Sequence, residues 1–158
     1  MRLINVDSLE LEEFVGVHIP GYVILSHTWD DGEVLFRDWG QPEAALKKGY
    51  AKILKTCEWA RGYGVSYAWV DTCCIDKSSS AELTEAINSM FAWYSGAVVC
   101  LAYLSDLEPG EFASRGFGHC RWFTRGWTLQ ELIAPRQVLF CDNSWKCVGT
   151  SQSLSPII

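Results

Sequence analysis

The chain has 158 residues, a net charge of −6, an apolar fraction of 49% and a charged fraction of 20%, which is the composition of one soluble globular domain. The negative charge argues against non-specific binding of nucleic acid. No apolar run is long enough to span a membrane, and the N-terminus lacks the basic and then apolar order of a signal peptide. We therefore expect a cytoplasmic protein that binds neither nucleic acid nor a membrane.

The seven cysteines are odd in number and form no C-x-x-C motif. Several lie in apolar, strand-like runs, so we expect them to be reduced and mostly buried. His119 and Cys120 are adjacent, and adjacent ligands rarely suit one tetrahedral metal. We expect neither a metal site nor a resident cofactor.

The first predicted strand is Tyr22–Ser26, and we expect the segment before it, 1–21, to cover an edge of the domain. YVILS is a continuous apolar run, typical of a strand buried on both faces. Polar and aromatic side chains end this strand and follow it, as in a ligand-binding loop at a strand's carboxyl end: Ser26, His27, Trp29, Asp30 and Asp31. The alternative is a simple turn at Asp31-Gly32, and the residues favour both equally.

A helix is predicted over 42–62 because apolar residues recur there at helical spacing. The opposite face carries four lysines, which we expect to be solvated: Lys47, Lys48, Lys52 and Lys55.

The second predicted strand, Tyr67–Asp71, also ends in polar residues. Asp71 and Asp76 could bind ribose hydroxyls or a partner, but each alone is better explained as a cap or turn residue. Ser79 and Glu82 form an S-x-x-E capping box, which predicts a helix that Gly96 ends.

The third predicted strand, 97–103, leads into a long irregular stretch over 104–120, and loops of this length are often functional. A helix over about 124–134, a strand over 137–141 and a short fifth strand over 145–148 follow. The alternation predicts a parallel sheet with helices on both faces, so the loops after 26, 71 and 103 should meet at one edge. Neither G-x-G-x-x-G nor G-x-x-x-x-G-K-[ST] is present, so the sequence does not support a Rossmann dehydrogenase or a P-loop NTPase.

The last of these loops leads to Glu131, a carboxylate among apolar neighbours, where ionisation is costly without a partner. The residues alone favour a structural role. Glu131 would complete a T-x-x-E box with Thr128, or pair with Arg121 or Arg125.

Four segments, in this order, resemble the HET (heterokaryon incompatibility) domain of filamentous fungi: YVILSHTW at 22–29, WVDTCCIDK at 69–77, ELTEAINSMFAWYSGA at 82–97 and RGWTLQELIAP at 125–135. The resemblance covers nearly the whole chain and implies one HET domain over 1–150 with a tail over 151–158. The start at Met1 looks like a natural N-terminus, and the end looks like that of a domain cut from a longer protein or of a very short family member.

HET domains are regarded as distant relatives of TIR domains. The resemblance therefore implies a TIR-like, flavodoxin-like α/β sandwich of three layers, with a mostly parallel central sheet of about five strands. The loop 72–79 would match the TIR BB loop, whereas 104–120 is a longer excursion than TIR domains usually have before the corresponding helix.

Catalytic TIR domains cleave NAD+ at the nicotinamide–ribose bond with the glutamate of a W-x-x-x-E pattern, and Trp127 to Glu131 has that spacing. The resemblance implies that NAD+ or a related nucleotide is the substrate and reverses the preference for Glu131, which becomes the catalytic candidate. Trp29 or Trp127 would stack on a flat base. The other expected substrate contacts are Ser26, His27, Asp30, Asp31, Asp71, Asp76 and Arg125.

The first hypothesis is an NAD+ nucleosidase, a glycohydrolase or cyclase, that acts in programmed cell death on non-self recognition. The resemblance implies activation by self-association into dimers or higher oligomers, with an NLR-like sensor upstream. The alternative is a non-enzymatic, oligomerising signalling module. A third hypothesis is a degenerate domain without activity.

Overall fold

A computed structural model of the chain describes residues 1–16, 18–111 and 116–154. Within these ranges, seven strands form one sheet in the order β2-β1-β4-β3-β5-β6-β7. The strands are β1 (Arg2–Asn5), β2 (Leu11–Glu13), β3 (Tyr22–His27), β4 (Tyr67–Val70), β5 (Val99–Tyr103), β6 (Val138–Cys141) and β7 (Cys147–Thr150).

The four central strands run parallel, with β3 between β4 and β5 and with β6 beside β5. Every residue of β3 and β6 is buried, as expected for apolar runs covered on both faces. The order β4-β3-β5-β6 is that of the first four strands of a flavodoxin-like sheet. The predicted α/β class and the mostly parallel sheet are confirmed, and the closer likeness to TIR domains stays a prediction.

The sheet is larger than the expected five or so strands. The N-terminal segment covers an edge, as predicted, but it does so as the hairpin β1–β2, and β1 pairs antiparallel with β4. These strands have four and three residues, too few to show an alternating pattern.

The last strand, β7, begins two residues later than predicted, because a tight turn follows β6. Trp145 has φ +66 in this turn, and the Asp142 carboxylate accepts hydrogen bonds from the amides of Ser144 and Lys146.

Four α-helices lie in the described part of the chain: α1 (Tyr50–Gly62), α2 (Asp71–Cys74), α3 (Ser80–Gly96) and α4 (Thr128–Ile133). They cover both faces of the sheet. On one face His27 contacts Lys52 of α1, and on the other Tyr22 donates to the carbonyl oxygen of Trp93 in α3. These two side chains point to opposite faces because side chains alternate along a strand.

The predicted helix over 42–62 is broken. Pro42–Leu46 forms a 3-10 turn, and α1 begins only after Gly49. The expectation that all four lysines of this segment are solvated is wrong for Lys52. It is buried and donates to Glu33, Asp30 and the carbonyl oxygen of Thr28.

The start of α3 agrees with the prediction, since the Ser79 hydroxyl accepts a hydrogen bond from the amide of Glu82. The reciprocal half of the capping box is not formed. Glu82 instead accepts from the amide of Asp76 and pairs with Arg2, which ties α3 to β1.

The irregular stretch 104–120 is anchored at both ends, because Leu104, Leu107 and Phe117 are buried, while residues 112–115 lie outside the described ranges. In the predicted tail, Leu154 is buried against Gly149, and residues 155–158 are not among those described.

All seven cysteines are free, and all but Cys147 are buried, as predicted. Burial raises the pKa of Cys57 and of Cys141 to about 12, so these thiols stay protonated at neutral pH. No helix in the described part of the chain is long and apolar enough to cross a membrane.

Candidate active site

A cavity of about 540 Å³ lies at the carboxyl ends of β3 and β4, between α3 and α4. One wall is the apolar face of α3, which contributes Leu83, Ile87 and Met90. The lining also includes charged and aromatic residues: Trp29, Asp71, Lys77, Arg125, Trp127 and Glu131. The volume lies in the range of ordinary small-molecule sites.

Glu131 reaches this cavity from the first turn of α4, and only 4% of the residue is exposed. Arg125 binds both of its carboxylate oxygens, with Nη1 at 2.8 Å from Oε2 and Nη2 at 3.0 Å from Oε1. On the side of the sheet, the Ser26 hydroxyl donates to Oε2 and accepts from Trp122 Nε1 at 2.7 Å. A cation thus binds the carboxylate on its cavity side, and a hydroxyl binds it on its core side.

The structure discriminates between the structural roles considered for Glu131. The capping box with Thr128 is not formed, because Trp127 is the N-cap of α4 and the Thr128 hydroxyl donates to the carbonyl oxygen of Trp122. The ion pair with Arg125 is formed. Arg121 instead pairs with Asp30, at 2.7 Å.

Asp71 is a second carboxylate at the cavity. Its Oδ2 accepts from Trp29 Nε1 at 3.0 Å, and its Oδ1 lies 3.2 Å from Nε2 of His27. Burial favours the protonated form of Asp71, but the hydrogen bond from His27 and the charges of Lys77 and Arg125 outweigh it and lower the pKa of Asp71 to about 2. Asp71 is therefore ionised at neutral pH and unsuited to act as a base.

The His27 ring is buried and engaged at both nitrogens. Nδ1 lies 3.3 Å from the Lys52 ammonium, which can only donate, so we assign Nδ1 as the acceptor and Nε2–H as the donor to Asp71. The ring thereby links the buried ions Lys52 and Glu33 to the carboxylate at the cavity.

Lys77 lies over the Trp29 ring, with Nζ 3.8 Å from its centroid, and donates to the backbone carbonyl of Asp71 at 2.7 Å. Burial lowers the pKa of Lys77, and Asp71 opposes that shift. Trp29 and Trp127 remain 43% and 45% exposed, so each has free ring surface at the cavity. The two cations and the two carboxylates of the cavity lining balance one another in charge.

The structure separates the predicted site residues by position. Those at the cavity are Trp29, Asp71, Arg125, Trp127 and Glu131. Ser26 and His27 are buried beneath it, where they contact Glu131 and Asp71 rather than the cavity itself.

Three predicted contacts do not line the cavity. Asp30 pairs with Lys52 and Arg121. Asp76 accepts hydrogen bonds from the amide and the hydroxyl of Ser78, and Asp31 is exposed in the turn before Gly32, which has φ +85. Asp31 and Asp76 thus have the turn roles that the sequence offered as alternatives. Contact of Asp30, Asp31 and Asp76 with a substrate stays a prediction.

The sequence did not single out Lys77, Trp122 or the apolar wall of α3 as parts of a site. The apolar stripe of α3 is typical of a core-facing helix, because the spacing of apolar residues cannot show that part of the stripe faces a cavity. A signal for Lys77 existed, since it closes the polar run after β4. For Trp122 the sequence offers none beyond its nearness to Glu131. No group of potential metal ligands lies together within 1–16, 18–111 and 116–154.

Comparisons with known proteins confirm the resemblance to HET domains, and three of the four motifs lie within the residues that the family model matches. The family model described as heterokaryon incompatibility protein (HET) matches residues 22–119, which include β3, β4, α3 and β5 and end before Glu131. The chain is also 48% identical over 149 residues to vegetative incompatibility protein HET-E-1 of Podospora anserina. That match covers 89% of this chain and 11% of the relative, so the chain spans about a tenth of the relative's length. No solved structure matches. Because the family model matches more than half of the chain, this protein belongs to the heterokaryon incompatibility (HET) family.

Proposed function

We propose that the chain acts in heterokaryon incompatibility and that its cavity cleaves NAD+ at the nicotinamide–ribose bond, with Glu131 as the catalytic residue. Membership of the family and the likeness to HET-E-1 support the role in incompatibility. One observation carries the chemistry, namely that the buried carboxylate of Glu131 faces a cavity with exposed tryptophan surface and two cations.

In this reaction the bond between C1′ of the ribose and the pyridinium nitrogen breaks. Its electron pair leaves with nicotinamide, which becomes neutral, so the leaving group needs no acid. Positive charge develops on the ribose, and a carboxylate beside it stabilises that charge. Water then bonds to C1′ and releases a proton, or a nitrogen of the adenine takes the place of water in a cyclase.

Arg125 occupies both oxygens of Glu131 in the structure. In the proposed reaction its guanidinium turns from the carboxylate to the diphosphate of the substrate, since planar guanidinium binds both groups in the same two-bond manner. Trp29 and Trp127 supply flat surface for a base.

The test is release of nicotinamide from NAD+ by the purified chain at high concentration, measured beside Glu131→Gln. We expect the variant to lose about a thousandfold in rate, because the amide keeps the shape and removes the charge that stabilises the ribosyl cation. Glu58→Gln makes the same chemical change on the exposed face of α1 and should release nicotinamide like the parent. Circular dichroism establishes that all three proteins fold.

Equal release by the parent and by Glu131→Gln would exclude Glu131 and turn attention to Asp71, the other carboxylate of the cavity. If the parent releases nothing, forced oligomers of the same chain are assayed next, because we propose that self-association, under an upstream sensor, activates the site. Inactive oligomers would remove the enzymatic proposal.

A second candidate is a non-enzymatic signalling module that oligomerises. Large apolar side chains are exposed on the two helices that flank the cavity: Ile87 and Phe91 on α3, and Leu129 and Ile133 on α4. This candidate predicts that Glu131→Gln still kills cells when it is expressed in a filamentous fungus, whereas the enzymatic proposal predicts loss of toxicity.

A further inference from the structure

We infer that Trp122 is a positioning residue for Glu131 and that it acts through the hydroxyl of Ser26. The inference rests on the proposed function for its kinetic consequence, but the geometry beneath it is independent of the reaction. Trp122 and Ser26 are 0% and 1% exposed, so both lie beneath the cavity and neither touches its contents.

The direction of the hydrogen bonds follows from the chemistry of the donors. An indole N–H can donate but cannot accept. Trp122 Nε1 lies 2.7 Å from Ser26 Oγ, so the hydroxyl oxygen must accept there and its own proton must point elsewhere. The acceptor within reach is Oε2 of Glu131. Trp122 thus makes Ser26 a donor to the carboxylate.

The indole itself is fixed on several sides. Its ring meets the rings of Phe123 and Phe140 edge to face, with centroids 5.0 and 5.6 Å away. Its backbone carbonyl accepts from the Thr128 hydroxyl at the start of α4, the helix that carries Glu131. A rigid donor is therefore attached to the element whose carboxylate it orients.

This arrangement matters most when a substrate is bound. In the free protein Arg125 holds both oxygens of Glu131 from the cavity side. Once Arg125 turns to the substrate, Ser26 becomes the donor that still fixes Oε2. The position of the carboxylate in the reacting complex then depends on the hydroxyl and on the indole behind it.

Trp122→Phe tests this, because it removes the N–H and keeps most of the ring. Trp69→Phe is a matched control, since Trp69 is also fully buried and its Nε1 has no hydrogen-bond partner among the described residues. We expect Trp122→Phe to lower kcat about tenfold at unchanged KM, and Trp69→Phe to leave both constants as they are. Ser26→Ala should lower kcat at least as much, and adding Trp122→Phe to it should cost nothing further.

A spectroscopic measurement tests the contact between Ser26 and Glu131 independently of the reaction. In an NMR spectrum of protein labelled with carbon-13 at the glutamate side-chain carboxyl, Glu131 gives one resonance. This resonance is identified as the one that is lost in Glu131→Gln. Trp122→Phe and Ser26→Ala should both move this resonance, whereas Trp69→Phe should not. If Trp122→Phe fails to fold, Ser26→Ala tests the same contact from its other end.

The inference is overturned if the Glu131 resonance does not move in Trp122→Phe, or in Ser26→Ala when Trp122→Phe does not fold. It is also overturned if the loss of kcat in Trp122→Phe adds fully to the loss in Ser26→Ala. If parent and variants all fail to release nicotinamide, the proposed reaction is wrong, and the resonance alone decides whether Trp122 positions Glu131.

Discussion

The charged residues at the cavity form pairs of opposite sign. Arg125 binds Glu131, and Lys77 lies near Asp71, with Nζ 3.5 Å from Oδ2. Each carboxylate also has a contact on the protein side, Ser26 for Glu131 and His27 for Asp71. A buried charge is tolerated when it is paired and hydrogen-bonded, so removing one partner should be costly.

Arg125→Met tests the pair at Glu131. It leaves a buried carboxylate without its cation, so we expect the free energy of unfolding in urea to fall by about 3 kcal/mol. The double variant Arg125→Met/Glu131→Gln has no unpaired charge and should recover most of that loss. A double variant as unstable as the single one would show that Arg125 stabilises the fold through packing of its aliphatic stem.

Lys52 shows what single-residue patterns cannot predict. Its charge led us to group it with the solvated lysines of its segment, yet it lies on the buried face of α1, four and eight residues before Thr56 and Ala60. The loop after β3 folds over this end of α1 and brings Asp30 and Glu33 to the ammonium group. The carboxylates that pair with the buried ammonium thus lie about 20 positions away in the chain, and periodicity within one helix does not reveal them.

Among the elements, α1 illustrates how one glycine sets a boundary. The apolar spacing of 42–62 fits one long helix, yet the backbone is extended at Lys47 and α1 begins only after Gly49. A Cβ on Gly49 would lie 2.5 Å from Oε2 and 2.8 Å from Cα of Glu33. The chain enters α1 pressed against the loop that carries Glu33, and only a residue without a side chain fits there.

Gly49→Ala and Gly62→Ala make the same change near the two ends of α1. We expect the first to lower the free energy of unfolding by about 2 kcal/mol, because the backbone of Glu33 must move. A Cβ at Gly62 would meet nothing within 4 Å, so the second should stabilise α1 by about 0.5 kcal/mol. Urea unfolding measures both, and equal effects would contradict the close contact at Gly49.

The elements that the sequence predicted well are those with a long local signal. The runs YVILS and QVLFC gave β3 and β6 to within a residue because burial on both faces needs continuous apolar sequence. The T-x-x-E pattern misled for α4, since Thr128 is already used by Trp122. A short cap pattern cannot reveal a competing acceptor from the preceding turn.

At the scale of the whole molecule, the parallel sheet assembles the candidate site. Ser26 and Glu131 are 105 residues apart in sequence and in contact in the fold. The rule that ligands bind beyond the carboxyl ends of parallel strands predicts only that the loops after these strands lie at one edge of the sheet. The rule does not give the hydrogen-bond directions, which depend on Trp122 and Arg125.

The acid stability of the fold depends on charges held in this way, and Asp71 gives the clearest case. Its pKa is about 2 in the folded protein, against roughly 3.9 in an unfolded chain. The folded state therefore binds the proton less tightly, and the resulting stability is present above about pH 4 and is lost as the pH falls towards 2. Asp71→Asn removes this contribution at every pH.

We expect Asp71→Asn to be about 2 kcal/mol less stable than the parent at pH 7. The two proteins should converge as the pH is lowered from about 5 to about 2, because the parent protonates Asp71 on unfolding and loses its advantage. Urea unfolding at a series of pH values measures the gap. A gap that stays constant down to pH 2 would mean that Asp71 stabilises the fold through its shape and its hydrogen bonds rather than through its charge.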